Sequence, residues 1–246
     1  MSELYDRIAP SYMATRREDP RLAVLIRDAL GPDVRTVINV GAGAGAYEPR
    51  DLDVTAVEPT AAMRANRPPG AAPALDARAE ALPFGDRAFD ASMTVFSDHH
   101  WQDRAQGLRE LRRVARQRVV VLTYDPAFAD AYWLIRDYLP GFGRLPGMAV
   151  DEVAAHLGGA EVRRVPVWHD CVDGFLLAYW RRPEAFLDPD VRAAISVFHR
   201  LPEEEIQEAI GRLRADLHGG AWAERNRDLL ELDRLDVGLV LVVAGA

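Results

Sequence analysis

The chain is short of cysteine, of long apolar runs and of positive charge, and each shortage closes off a class of function. Cys171 is the one cysteine in 246 residues. No intramolecular disulfide can form, and neither a cysteine-built metal cluster nor any other metal site is expected. No stretch of about 18 uncharged apolar residues occurs, which predicts no transmembrane helix. Lys and Arg together number 30 against 38 Asp and Glu, a net charge of −8. A surface of that sign repels phosphate backbones and anionic headgroups, so neither nucleic acid nor a membrane is the expected partner. The local run of Arg112, Arg113, Arg116 and Arg118 reads as a solvated helix end. The first ten residues show no basic segment followed by an apolar one, and a cytoplasmic location is expected.

Hydrophobic residues make up 49% of the chain, enough for a full core, and the length suits one α/β domain with an embellishment. Residues 21–30 carry apolar positions at helical spacing and stop at Gly31-Pro32. The run 36–40 is short, β-branched and apolar, the pattern of a strand buried on both faces of a parallel sheet. Residues 53–57 repeat it. A short helix is expected over 60–67, a weaker strand near 74–77, a strand over 91–96, an amphipathic helix over 104–114 and a strand over 119–123. Strands that alternate with helices predict a mostly parallel sheet. Further on, 128–138, 150–157 and 203–217 read as helices, and 162–168 and 237–243 as late strands. The helix-forming stretch from about 175 to 235 then caps the ligand site.

The sharpest local signal is Gly41-Ala42-Gly43-Ala44-Gly45, directly after the first strand. Glycines there permit positive φ and let a ligand approach the backbone. A tight strand-to-helix turn would show the same pattern. Glu58, 15 residues beyond Gly43, ends the next strand. In a doubly wound sheet its carboxylate lies beside the first loop, at the edge where ligands bind, and can accept both hydroxyls of a ribose. Its other reading is a helix-capping partner. The spacing is not the GxGxxG of dinucleotide sites, and Tyr47-Glu48-Pro49 cuts short any helix that starts after the glycines. A pyrophosphate wants that helix, so a ligand held by its ribose and amino-acid ends fits better than NAD.

Four blocks resemble a known family. They are Tyr5-Asp6-Arg7-Ile8-Ala9-Pro10-Ser11-Tyr12, the Gly41–Gly45 loop, Ala56-Val57-Glu58-Pro59 with Met63, and Ala79-Glu80-Ala81-Leu82-Pro83-Phe84 running into Phe89-Asp90. His99-His100-Trp101 and Glu110-Leu111-Arg112-Arg113-Val114 follow in order. The chain is similar here, over residues 1–125, to the class I S-adenosylmethionine-dependent methyltransferases, the group that includes the ubiquinone and menaquinone methylases. The resemblance implies a Rossmann-like, mostly parallel seven-stranded α/β sheet with helices on both faces and a helical cap in the C-terminal third. It implies S-adenosylmethionine as cofactor, S-adenosylhomocysteine as product and a small-molecule acceptor. Gly41, Ala42 and Gly43 would pass under the methionine part, Glu58 would hold the ribose, and Pro59 and Met63 would lie against the adenine. Ala79 and Glu80 would meet the adenine edge, and Val95 and Phe96 would line the methyl-bearing sulfur. Tyr5, Tyr12 and Arg16 belong to a segment that closes over the cofactor, with Arg16 or Arg17 on its carboxylate; a plain surface helix salt-bridged to Glu18 and Asp19 is the alternative. Two departures stand out. Asn39 replaces the family's usual acidic residue, and Ala115-Arg116-Gln117 replaces its Pro-Gly-Gly turn.

Methyl transfer asks mainly for alignment and exclusion of water, with a general base where the acceptor must lose a proton. His99 and His100 are the candidate bases, since they follow the fourth strand at its ligand end; His100 is assigned to the cofactor side and His99 to the acceptor side. A supporting histidine with no proton role is the alternative for each, and His169-Asp170 is a second pair. The aromatic residues Tyr132, Trp133, Tyr138, Phe142, Trp168, Phe175, Tyr179 and Trp180 either wall an apolar acceptor pocket or build core. One domain is expected, with a lid over 1–30, a cofactor core over 31–125 and a cap over 126–246. A cyclase or a partner-binding subunit built on the same cofactor site are the competing readings.

Overall fold

The computed structural model describes residues 15–144 and 147–245. The expectations on Tyr5 and Tyr12 lie outside those residues. Among the described residues the first full helix, α1 (Pro20–Leu30), starts where the Asp19 carboxylate accepts the Arg21 N–H and Pro20 supplies a preset φ; it stops at Gly31, φ +91°. It buries Leu22, Ile26, Ala29 and Leu30.

Four strands follow, β1 (Thr36–Val40), β2 (Asp53–Val57), β3 (Ala74–Leu75) and β4 (Phe89–Val95), with a short helix α2 (Ala61–Ala65) between β2 and β3. Then come α3 (Arg104–Val114), capped by the Asp103 carboxylate on the Gln106 N–H, and β5 (Ala115–Tyr124). Two more helices, α4 (Trp133–Asp137) and α5 (Val150–His156), precede β6 (Glu161–Arg164) and β7 (Val167–Trp168). The cap contains α6 (Pro189–Ala193), α7 (Glu203–Gly219) and α8 (Ala221–Arg225). The described chain closes with β8 (Arg234–Leu235) and β9 (Leu239–Gly245).

Seven strands form one sheet in the order β3-β2-β1-β4-β5-β9-β6. β1 to β5 pair in parallel, and β9 enters antiparallel between β5 and β6. Because side chains alternate across a strand, neighbouring residues feed opposite layers. Val37, Met93, Val120, Leu122 and Leu241 face α1 and the cap, whereas Ile38, Val40, Val119, Val121 and Val242 face α3 and α5. Burying each such side chain contributes about 1.5–3 kcal/mol, so the order of central strands is fixed from both sides. Pairing in parallel brings the C-terminal ends of β1, β2 and β4 to one edge. The chain reverses there after β1 and β4, and the site forms at that edge.

As the break at Tyr47-Glu48-Pro49 predicts, no helix follows the glycine loop; residues 41–52 are turns. Tyr47, at φ +65° and almost wholly buried, holds the chain in the left-handed region, and Pro49 follows. The helix expected over 128–138 splits into a 3₁₀ segment, Pro126–Ala131, and α4, because Tyr132 between them is extended. The strand expected over 162–168 divides at Val165-Pro166. Its first half, β6, is the sheet edge, and its second half, β7, pairs with β8 in a separate ribbon. Pro166 has no N–H to continue the ladder.

Candidate active site

Two cavities open at the C-terminal edge of the sheet. The first, of about 380 Å³, lies over the glycine loop. Gly41 takes φ +71°, and a Cβ there would sit 1.8 Å from Ser97 Oγ, so this position accepts no side chain. Gly43 takes φ +51°, and among the described residues the only heavy atom within 4 Å of an added Cβ is Met63 Cε at 3.3 Å, so the missing side chain leaves its space to the cavity. Glu58, buried at the end of β2, accepts the Gly43 N–H at 2.9 Å and the Thr60 N–H at 2.9 Å. Each oxygen of a carboxylate takes about two hydrogen bonds. Glu58 therefore ties the loop to the start of α2 and keeps one acceptor position per oxygen for a ligand.

The loop is braced from behind by a pair that sequence reasoning missed. Asn39 Nδ2 donates to Glu48 Oε1 at 3.1 Å, and Arg67 bonds both Glu48 oxygens at 2.7 and 2.6 Å. Arg67 also donates to the Gly43 carbonyl at 3.1 Å and the Ala72 carbonyl at 2.8 Å. Glu48 thus supplies the carboxylate that residue 39 lacks, and an Asp at 39 would face it as a like charge.

A second network closes the wall. Asp173, buried in the loop before the cap, accepts from Arg16 Nε at 2.6 Å and Nη2 at 3.2 Å, and from the Tyr47 hydroxyl at 2.8 Å. Burial, then the Asp173 charge, pushes the Tyr47 phenol well above its ordinary range. Asp19 extends the strap by accepting the Val172 N–H at 3.1 Å.

The second cavity, of about 160 Å³, lies beyond the first and is walled mainly by apolar groups, among them Phe96, Tyr124, Phe142, Phe175 and Ile195. Arg16, Phe96 and His100 line both cavities and stand at their junction. Phe96 follows β4 with φ +54°, a conformation that costs an L-residue about 1–2 kcal/mol. Its ring stacks on Tyr124 with centroids 5.3 Å apart and packs on Phe175 at 4.8 Å, contacts that hold it there. A 3₁₀ turn, Asp98–His100, carries the two histidines. Their ring centroids are 3.9 Å apart. Burial, with His99, Arg200 and Arg16 nearby, holds the His100 pKa well below the usual value, so it is a neutral imidazole at neutral pH.

This geometry meets a matching finding from known proteins. Residues 38–123 match the model of a methyltransferase domain. That segment of the chain is an S-adenosylmethionine-dependent methyltransferase domain. A crystal structure from Anabaena variabilis, described as an inferred methyltransferase of an antibiotic biosynthesis pathway, superposes with a TM-score of 0.85 at 29% identity. It covers 94% of this chain and 98% of that one. The [4+2]-cyclase SpnF shares the fold, with a TM-score of 0.58 at 14% identity over 99% of this chain and 94% of its own. The uncharacterized Escherichia coli protein YafE is 44% identical over 46 residues, and that match spans 18% of this chain and only 22% of YafE. The cofactor of such a domain is S-adenosylmethionine, and the glycine cradle and the spare acceptors of Glu58 fit a ribose and an amino-acid chain.

In this methyltransferase the first cavity gathers Arg16, Gly41, Ala42, Gly43, Glu58, Pro59, Met63, Ala79, Glu80, Val95 and Phe96, the described residues expected around a cofactor. His100 joins them, while His99 lines only the second cavity. Two side chains are otherwise engaged. Arg16 is held by Asp173 rather than by Glu18 or Asp19, and Glu80 Oε1 accepts the Gln102 N–H at 2.7 Å. Of the aromatic group, Phe142 and Phe175 line the second cavity, while Tyr132, Trp133, Tyr138, Tyr179 and Trp180 are buried in the core. His169 and Asp170 line neither of these two cavities, and the exposed Asp170 pairs with Arg21. Burial pushes the Cys171 thiol up to about 12, which makes it a poor nucleophile. Among the described residues no helix is long and apolar enough to cross a membrane.

Proposed function

We propose that this methyltransferase moves a methyl group onto a small apolar molecule bound in the second cavity. The observation that carries the reading is the junction: Arg16, Phe96 and His100 are shared walls of the cavity over the glycine loop and of a second, mainly apolar cavity beneath the cap. When bound, the cofactor supplies a methyl group already activated on a sulfonium. Gly41, Ala42 and Gly43 hold its amino-acid portion, and Glu58 takes its ribose. Pro59, Met63, Ala79 and the Glu80 backbone surround its base. Val95, Phe96 and His100 face the reacting end. His100, neutral and enclosed, adds no charge beside a cation.

The domain division follows the same reading. Residues 1–30 act as the lid, with Tyr5 and Tyr12 over the cofactor, 31–125 as the cofactor core and 126–246 as the acceptor wall. The aqueous cytoplasm is the proposed location, and a buried single thiol suits a reducing compartment.

Calorimetry tests the cofactor half. S-adenosylhomocysteine should bind in the micromolar range, about −8 kcal/mol, and Glu58→Ala should weaken it by roughly 1.5–3 kcal/mol for each charge-assisted bond lost. Equal affinity for NAD, or no loss in the variant, overturns it. Product analysis tests the transfer half, because methyl transfer yields S-adenosylhomocysteine and a cyclisation or a partner-binding role does not.

A further inference from the structure

Asp98 is fully buried at the end of β4, where a lone carboxylate would be costly. One of its oxygens, Oδ2, accepts from Arg104 Nε at 2.9 Å and from Arg104 Nη2, and that guanidinium also reaches Thr123 Oγ1 at 3.3 Å. The other oxygen, Oδ1, has no hydrogen-bond donor among the described residues; nor has the buried His99 Nδ1 an acceptor. These two atoms face each other at 3.7 Å. A modest rotation of the ring brings them to hydrogen-bond distance, and such contacts commonly tighten only when ligands fill a site.

From this geometry we propose that Asp98 is the positioning residue for His99, and that the acceptor is a ring-sized phenol whose hydroxyl proton His99 removes. The proposal rests on the reading of the second cavity as the acceptor site. A carboxylate beside Nδ1 fixes the proton on that nitrogen and leaves Nε2 as the basic lone pair. Burial of Asp98 opposes its charge, but Arg104, His99 and Thr123 outweigh that and hold the carboxyl below its usual range. The carboxylate therefore stays ionised and supports an imidazolium.

The acceptor class follows from chemistry and size. A neutral amine needs no base before it attacks, and an aliphatic alcohol is too weak an acid for an imidazole to deprotonate usefully. A phenol, near pKa 10, is within reach. The cavity holds about 160 Å³, the size of an apolar cavity that accommodates a benzene ring. In the step, the O–H pair stays on oxygen as the proton passes to His99 Nε2. The oxygen then forms the O–CH₃ bond while the carbon–sulfur pair returns to sulfur, and the imidazolium releases its proton to water. His99 is faced by Asp98 on its own turn, by the His100 ring at 3.9 Å and by Tyr124 of β5 at 5.4 Å. Arg16, Arg104, Asp125 and Arg200 are the charged groups lining the same cavity.

Nitrogen NMR of the full chain saturated with S-adenosylhomocysteine tests the pairing without an acceptor. The wild-type protein should show His99 protonated at Nδ1, and Asp98→Asn should change that tautomer while S-adenosylhomocysteine affinity holds. An Nε2-protonated His99 in the wild type overturns the proposal even if the variant fails to fold. With a panel of monocyclic phenols, anilines and cyclohexanols, only the phenols should be methylated. His99→Gln should lower kcat by about 10²–10⁴-fold, and Asp98→Asn by at least about tenfold with the acid limb of its pH profile displaced. Preferred methylation of the anilines or cyclohexanols overturns the acceptor class. Failure of the wild type to bind S-adenosylhomocysteine at all would instead refute the cofactor-site reading beneath it.

Discussion

The two cavities that meet at Phe96 are built by different means. The floor of the first is made by local chain geometry, with glycines at positive φ, the end of β2 and a backbone-bonded carboxylate within residues 39–80, and only its walls come from Arg16, residues 95–102 and Asp173. The second is assembled from segments far apart in sequence, the 98–104 turn, the end of β5, residues 126–148 and the cap. A site made locally tolerates little change at its own positions. One made by assembly draws its walls from packing, where side chains substitute for one another at modest cost. On the proposed reading the first cavity holds the cofactor and the second selects the acceptor.

The difference is broken most severely at Gly41. Gly41→Ala forces a Cβ onto Ser97 and keeps φ at +71°, a strain of about 1–2 kcal/mol before any clash. S-adenosylhomocysteine binding measured by calorimetry should become undetectable, with a lowered melting temperature. A variant that binds normally would show that the loop shifts freely and that the first cavity is no more rigid than the second.

Asn39 sharpens the comparison. Asn39→Asp places a second carboxylate against Glu48, and the cofactor affinity should fall about tenfold, roughly 1.4 kcal/mol. The double variant Asn39→Asp with Glu48→Gln should recover most of it. If the single variant binds better than the wild type, the charge of residue 39 matters more than its pairing with Glu48.

The smallest effect is expected in the assembled cavity. Phe142, half-buried in its wall, should on replacement by Ala raise the acceptor KM a few-fold through lost apolar contact. It should leave the S-adenosylhomocysteine Kd unchanged. A parallel loss in both constants would mean that the cavities are not independent.

Much of the first cavity was readable from the chain because its signals are local. Gly41, Gly43 and Glu58 carry their geometry in their residue types and in their position at strand ends. Asp98 was harder to see. It stands directly before His99 in sequence, but neighbouring side chains usually diverge, and only the 3₁₀ turn brings Oδ1 and Nδ1 face to face. The brace of Glu48 and Arg67 spans 19 residues, and the pair of Arg16 and Asp173 spans 157; no periodicity marks contacts of that kind.

By itself the sequence determined the alternation of buried strands and amphipathic helices, the backbone freedom of the loop after β1 and the carboxylate at the end of β2. These depend on residues within a few positions of one another, whose conformational preferences act before the chain is packed. The tertiary structure decided where β9 inserts, which aromatic residues became core and which became cavity wall, and which partner each buried charge received. Those outcomes follow from burial and electrostatic pairing between distant segments, and such energies exist only once the sheet and the cap have come together.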